Sequence, residues 1–136
     1  MMVALACSAL VASALGTRSG QKPTREDYTS GAYLYRAFCA SCHGPTGTGD
    51  GPAADLGPRA SDLTLLSRRN GGVFPREEVL SVLQRVRRVP GHQAPAMPNW
   101  IDVLRKTEGG DERVVRQRLD ALVSHLETLQ RNDRDR

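Results

Sequence analysis

The chain carries Cys39, Cys42 and His43 in a Cys-x-x-Cys-His run. On a helical turn, residues three and four positions apart share a face, so these three side chains can meet the same partner. Two thiols and an imidazole in this order are the pattern of covalent haem attachment, in which the sulfurs bond the porphyrin and the imidazole binds iron. The run predicts one haem c, bound covalently through Cys39 and Cys42, with His43 as an iron ligand.

Three other uses of the cysteine pair fit less well. A thioredoxin-like pair follows a strand and opens a helix, whereas residues 31–38 read as a helix leading into the pair. A structural zinc site needs four ligands, and the sequence has no second Cys or His pair to complete one. A plain disulfide would leave His43 without a purpose. The redox dithiol and the metal site stay open as minor alternatives.

The ligand on the other side of the iron decides its chemistry, and the candidates are Met97, His92 and His125. The other two methionines open the chain, which leaves Met97 as the sole methionine of the body. Pro98 follows it and restricts the backbone where a ligand loop must hold a thioether. A proline-rich loop is also an unusual place for a core-filling methionine. Met97 is therefore favoured as the second metal ligand, with His92 as runner-up, while His125 is expected to lie at the boundary of the apolar stripe of the last helix.

A loop dense in glycine and proline, residues 44–52, follows the histidine. Its glycines neither follow a strand nor lead into Gly-Lys-Ser/Thr, so the phosphate-binding interpretation fails. We expect them to let bare backbone pass close to the porphyrin. We also expect Pro45 to belong to the cofactor-binding site. Its carbonyl would accept a hydrogen bond from the ring N–H of His43 and so fix the tautomer of that ring.

Helical periodicity and capping signals predict an all-α fold. The first helix should begin near Thr24 or Ser30, run through residue 38 and stop at Gly44 and Pro45. A helical turn is expected over residues 62–66, and longer helices over 75–89, over 99–106 and from Asp111 onward. The apolar stripes expected to face the core are Val79, Leu80, Leu83 and Val86 in the 75–89 helix, and Val115, Leu119, Leu122, Val123 and Leu126 in the last one.

The chain divides into a hydrophobic N-terminal segment, residues 1–15, a spacer, 16–23, one domain, 24–131, and a charged tail, 132–136. The uncharged first segment is too short to span a bilayer and resembles an export signal without its basic start. Cys7 lies in a sequence that loosely looks like a lipoprotein acylation box. These features predict a periplasmic, exported protein, with a lipid tether on Cys7 as the minority alternative.

Basic residues outnumber acidic ones by 19 to 15, a formal net charge of +4. Arg85, Arg87 and Arg88 precede the methionine loop and are expected to steer redox protein partners with acidic docking surfaces. A plain solvated helix face is an equally open interpretation of these arginines. No motif for nucleic acid accompanies the charge, so no nucleic-acid partner is expected. Association with a membrane complex stays open.

The chain resembles the class I c-type cytochromes over roughly residues 24–130. The matching features are Gly31, Leu34 and Tyr35 ahead of the Cys-x-x-Cys-His run, the Met97-Pro98-Asn99-Trp100 loop, and the final amphipathic helix.

This resemblance implies a cytochrome c fold, with about four to five helices around one haem. It implies that Gly31 lets the first and last helices cross closely. It also implies that Trp100 packs near the haem and reaches a propionate, although Ile101 replaces the glycine that often follows this tryptophan in bacterial members.

Iron bound by both His43 and Met97 has no open position for a substrate, so electron transfer is the expected activity. The predicted function is a periplasmic monohaem one-electron carrier between respiratory or photosynthetic partners, and not an enzyme in itself. A cytochrome subunit held permanently in a larger oxidoreductase is the main alternative. A haem-based sensor with a labile sixth ligand is the third.

Overall fold

The structure is a computed structural model that describes residues 29–53, 60–86 and 99–131. These residues form helices and turns and contain no strand, which confirms the all-α prediction. Six α-helices are present in them rather than four or five, because two of the six are single turns. The helices are α1 (Gly31–Phe38), α2 (Ala40–His43), α3 (Leu66–Arg69), α4 (Arg76–Leu83), α5 (Trp100–Thr107) and α6 (Glu112–Thr128), with a 3-10 turn over Leu63–Leu65.

The short helices near the haem motif begin and end where local chemistry dictates. Ser30 caps α1, because its hydroxyl accepts a hydrogen bond from Tyr33 N at 3.2 Å. Cys39 separates α1 from α2, and α2 ends at Gly44, whose φ of 79° suits only a residue without a side chain. The sequence predicted one helix up to Gly44, and the structure instead breaks it at Cys39, so that Cys42 and His43 lie on a separate turn that still ends at Gly44.

Caps also set the starts of α5 and α6 where the sequence placed them. The Asn99 side chain accepts from Ile101 N at 3.2 Å. The Asp111 carboxylate accepts from Arg113 N at 2.9 Å and from Val114 N at 3.2 Å. Each cap satisfies backbone donors that a helix start leaves unpaired, so both helices begin at the predicted residues.

The prediction for residues 75–89 was wrong at its C-terminal end. Helix α4 ends at Leu83, and Arg85 turns the chain with a φ of 55°. Val86 is therefore not part of the core stripe, and 76 % of its surface is exposed. The apolar spacing continued past the end of the helix because periodicity alone cannot register a single left-handed residue.

The core lies along α6, against which α1, α4 and α5 pack. All five residues predicted for the inner face of α6 are buried, which confirms that stripe. The buried apolar residues are Leu34, Tyr35, Val79, Leu83, Trp100, Leu104, Val115, Leu119, Leu122, Val123 and Leu126. Among the described helices, none has both the length and the apolarity needed to cross a bilayer.

Helices α1 and α6 cross at Gly31. A Cβ atom on this residue would overlap the carbonyl of Ala121 and lie 2.8 Å from Cβ of His125. The two backbones can approach this closely only because the side chain is absent. The close crossing that the family resemblance implied is confirmed.

Several predictions lie outside the described residues. They concern the N-terminal segment with Cys7, the spacer, Thr24 as an alternative cap, and the charged tail. The same holds for residues 87–98, which include His92, Met97, Arg87 and Arg88.

Candidate haem site

The single turn of α2 brings the predicted attachment residues together. Cys42 N and His43 N both donate to the carbonyl of Cys39, at 3.2 and 2.9 Å. Cys39 and Cys42 are free thiols, each half-buried, while His43 is only 8 % exposed. Two thiols and one imidazole therefore project from one compact turn, with the imidazole the most deeply placed of the three.

The tautomer of His43 follows from its partner. Ring atom Nδ1 lies 2.9 Å from the carbonyl oxygen of Ser61. A carbonyl can only accept a hydrogen bond, so Nδ1 carries the hydrogen and the lone pair of the neutral ring is on Nε2. That lone pair is the donor an iron atom needs.

This geometry corrects the role predicted for Pro45. The carbonyl that receives the Nδ1 hydrogen is that of Ser61, and Pro45 is exposed at the start of the loop. The carbonyl of a residue just beyond a helical histidine points along the helix axis. The imidazole ring of His43 points sideways, toward the segment that contains Ser61.

Burial determines the protonation of two site residues. It lowers the pKa of His43, against the opposing effect of the hydrogen bond to Ser61, so the ring is neutral at pH 7. Burial, and secondly the neighbouring Cys42, raises the pKa of the Cys39 thiol to about 12. A reactive redox dithiol requires a lowered thiol pKa, so Cys39 does not fit the thioredoxin-like alternative.

The glycine-rich loop packs against the motif itself. Gly49 N donates to the carbonyl of His43 at 2.8 Å, and Gly51 N donates to the carbonyl of Cys42 at 3.2 Å. A Cβ on Gly51 would overlap the carbonyl of Ser41. We expected these glycines to let backbone pass close to the porphyrin. At Gly51, the atoms that leave no room for a side chain belong instead to the backbone of α2. The loop braces the turn that carries the three site residues.

Trp100 offers a feature that fits a bound haem. Its side chain is buried against Phe38, with ring centroids 5.1 Å apart, and its Nε1 donor is buried. None of the described residues accepts that hydrogen bond. An unsatisfied buried donor costs about 1–3 kcal/mol, and a haem carboxylate would satisfy it. The donor set of two thiols, one neutral imidazole and one buried indole N–H therefore suits a covalently attached haem.

The other candidates are less central. His125 packs its ring against Tyr35, with centroids 5.3 Å apart, in the interface between α1 and α6, which agrees with a position at the boundary of the apolar stripe. Arg85 is exposed. Sequence reasoning missed Ser61, and no sequence signal marks it, because every residue type has a carbonyl and only the path of the chain selects one.

Comparison with known proteins agrees with this geometry. A family model described as cytochrome c oxidase, cbb3-type, subunit III matches residues 26–126, about three quarters of the chain. No curated protein and no solved structure matches the chain. The matched range includes the attachment motif, the predicted methionine loop and most of α6, so the resemblance to c-type cytochromes is confirmed. The chain belongs to the family of cbb3-type cytochrome c oxidase subunit III domains.

Proposed function

We propose that this chain is a one-electron carrier whose haem is attached through Cys39 and Cys42 and whose iron is bound by His43 and Met97. The family carries covalently bound haem c and transfers electrons. When bound, the haem supplies an iron that gains or loses one electron. The assignment of individual residues to that haem is our own.

The observation that carries the proposal is the neutral, oriented ring of His43. Ser61 holds Nδ1–H and directs the Nε2 lone pair away from its own carbonyl. Cys39 and Cys42, on the same turn, supply the two thiols for attachment. Trp100 supplies a buried N–H for a propionate.

Met97 is proposed as the second ligand because of its sequence position. It is the last methionine of the chain and is followed by Pro98. Asn99 then caps α5, and Trp100 is buried directly after it, so the methionine loop ends at a fixed point beside the core. A thioether on iron favours the ferrous state and raises the potential relative to two histidines.

Optical spectra of oxidised and reduced protein test Met97, with a Met97→Ala variant for comparison. We expect the variant to lose the spectral features of thioether ligation in the oxidised state. Its reduced form should bind carbon monoxide, whereas the reduced wild type should not. Identical spectra for both proteins would refute the ligand assignment, and ready binding by the wild type would favour the sensor alternative.

Permanent membership of a larger oxidase is a second candidate function. The description of the matching family, a subunit of an oxidase, favours it. Fractionation of native membranes separates the two candidates. A free carrier should be released by salt, whereas a permanent subunit should co-purify with one membrane complex through salt and detergent.

We also propose that the protein is exported to the periplasm and that its partners dock through acidic surfaces. The uncharged first 15 residues and the excess of basic over acidic residues support this proposal. Intact mass of the mature protein would show whether the N-terminal segment is removed and whether Cys7 carries a lipid. The rate of electron exchange with an acidic partner should fall as ionic strength rises.

A further inference from the structure

The end of α6 is tied to the segment that holds Ser61. Gln130 and Arg131, just beyond the helix, contact residues 62–67 with side chains and backbone, across more than sixty positions of sequence. The family model ends at residue 126, so membership of the family assigns these two residues no role.

Gln130 uses one amide group to bond three backbone groups. Its Nε2 donates to the carbonyls of Leu63 and Leu126, both at 2.8 Å, and its Oε1 accepts from Ser67 N at 2.9 Å. Because two of the partners are carbonyls and one is an N–H, the nitrogen and the oxygen of the amide are assigned by their hydrogen bonds. The side chain thus links the last turn of α6 to the start of the 3-10 turn at Leu63 and to the first turn of α3 at Ser67.

Arg131 adds a second set of bonds. Its backbone N donates to the carbonyl of Thr64 at 2.9 Å. Its guanidinium donates to Thr64 Oγ1 at 2.7 Å and to Asp62 Oδ2 at 2.8 Å. Asp62 in turn accepts from Thr64 N and Oγ1, at 2.8 and 2.6 Å. Asp62 is the residue directly after Ser61, so these bonds restrain the chain next to the histidine's partner.

We propose that Gln130 and Arg131 are positioning residues that hold the Ser61 carbonyl against His43 and thereby set the reduction potential of the iron. This inference rests on the proposed role of His43 as an iron ligand. A hydrogen bond from Nδ1–H to a carbonyl makes the imidazole a stronger base and favours ferric iron. If the segment that holds Ser61 is loosened, this hydrogen bond weakens. Ferrous iron is then favoured, and the reduction potential of the iron rises.

The direction of the shift separates positioning from charge. Replacement of Arg131 by Gln also removes a positive charge, which alone favours ferric iron and lowers the potential. A rise after this substitution therefore has to come from the loosened segment. Arg113→Gln removes a charge from the exposed start of α6, and Gln117→Ala removes an exposed amide from the same helix, so these two serve as matched controls.

The experiment measures the reduction potential and the unfolding free energy of the haem-loaded full chain in Gln130→Ala, Arg131→Gln and both control variants. We expect the ferrous-to-ferric ratio to rise about threefold in Gln130→Ala and Arg131→Gln, which is about 28 mV for a one-electron couple at 59 mV per tenfold. Gln117→Ala should stay at the wild-type potential, and Arg113→Gln should stay there or fall slightly, because it loses an exposed positive charge. Arg131→Lys, which keeps the charge, should also show a raised potential, without the opposing effect of a lost charge.

A loss of stability with an unchanged potential would overturn the inference and leave Gln130 and Arg131 with a role in folding only. If Arg131→Gln does not fold, Arg131→Lys and Gln130→Asn give the same comparison without a change of charge, and an unchanged potential in both would also overturn the inference. Failure of the proposed function gives a different result, because the wild type itself would then show no reversible one-electron couple.

Discussion

The hydroxyl of Tyr35 donates a hydrogen bond to the carbonyl of Gly44 at 2.7 Å. Tyr35 is only 1 % exposed, and Gly44 directly follows His43. Burial raises the pKa of Tyr35 to about 12, with smaller contributions from Cys39 and Asp50, so the phenol remains a donor at all ordinary pH values. The core of α1 is thus bonded directly to the end of the haem-attachment turn.

Tyr35→Phe should destabilise the protein by about 1–3 kcal/mol, because the buried carbonyl of Gly44 loses its partner while the ring packing is kept. Urea unfolding measures the change. Tyr33→Phe removes the same atom from a half-buried ring on the same helix and should cost less. Equal losses of unfolding free energy in the two variants would show that the hydrogen bond to Gly44 contributes no extra stability.

Gly31→Ala should destabilise the chain by about 1–3 kcal/mol or more, because the added methyl group overlaps the Ala121 carbonyl and forces α1 away from α6. Thermal unfolding gives the measurement. Ala37→Gly, at an exposed site on α1, changes only helix propensity and should cost about 1 kcal/mol or less. A wild-type melting temperature for Gly31→Ala would mean that the helices do not cross this closely.

Arg85→Gly should stabilise the protein by about 0.5–1 kcal/mol. Arg85 has a φ of 55°, a conformation that costs most residues energy and glycine little. Gln84→Gly, one residue earlier at a φ of −82°, should instead destabilise because it gains flexibility without relief of strain. The urea midpoints of the two variants should move in opposite directions, and movement in the same direction would contradict the prediction.

The stability of the protein should decline as the pH falls through about 6.5. Burial, and secondly the charge of Arg36, lowers the pKa of His125, so the folded chain binds fewer protons than the unfolded chain. The stability that the neutral His125 ring contributes is fully present above the pKa of this ring in the unfolded chain. It is lost as the pH falls toward the lower pKa of the ring in the folded chain. His125→Phe keeps a ring against Tyr35 and should reduce the slope of the stability curve between pH 7 and 5, while His43, whose pKa burial also lowers, keeps its own contribution. A curve that keeps its wild-type slope would exclude His125 as the source.

Local chemistry made much of the fold predictable. Asn99 and Asp111 cap their helices with their own side chains, and the apolar stripe of α6 repeats over several turns, so both signals lie within a few residues. The attachment motif is equally local. Ser61 and Gln130 escaped prediction because their contacts join positions that only the folded path brings together. The prediction that Val86 is part of the core stripe was wrong because the chain turns away from the helix at Arg85, where no glycine signals the turn.

The most direct test of covalent haem attachment is the intact mass of the haem-loaded protein after denaturation, for wild type, Cys39→Ala, Cys42→Ala and the double variant. The wild type should keep one haem, because two thioethers survive unfolding. Each single variant should keep haem through the remaining thioether or load it less completely, and the double variant should release all of it. Loss of haem from the denatured wild type, or retention by the double variant, would contradict attachment at Cys39 and Cys42.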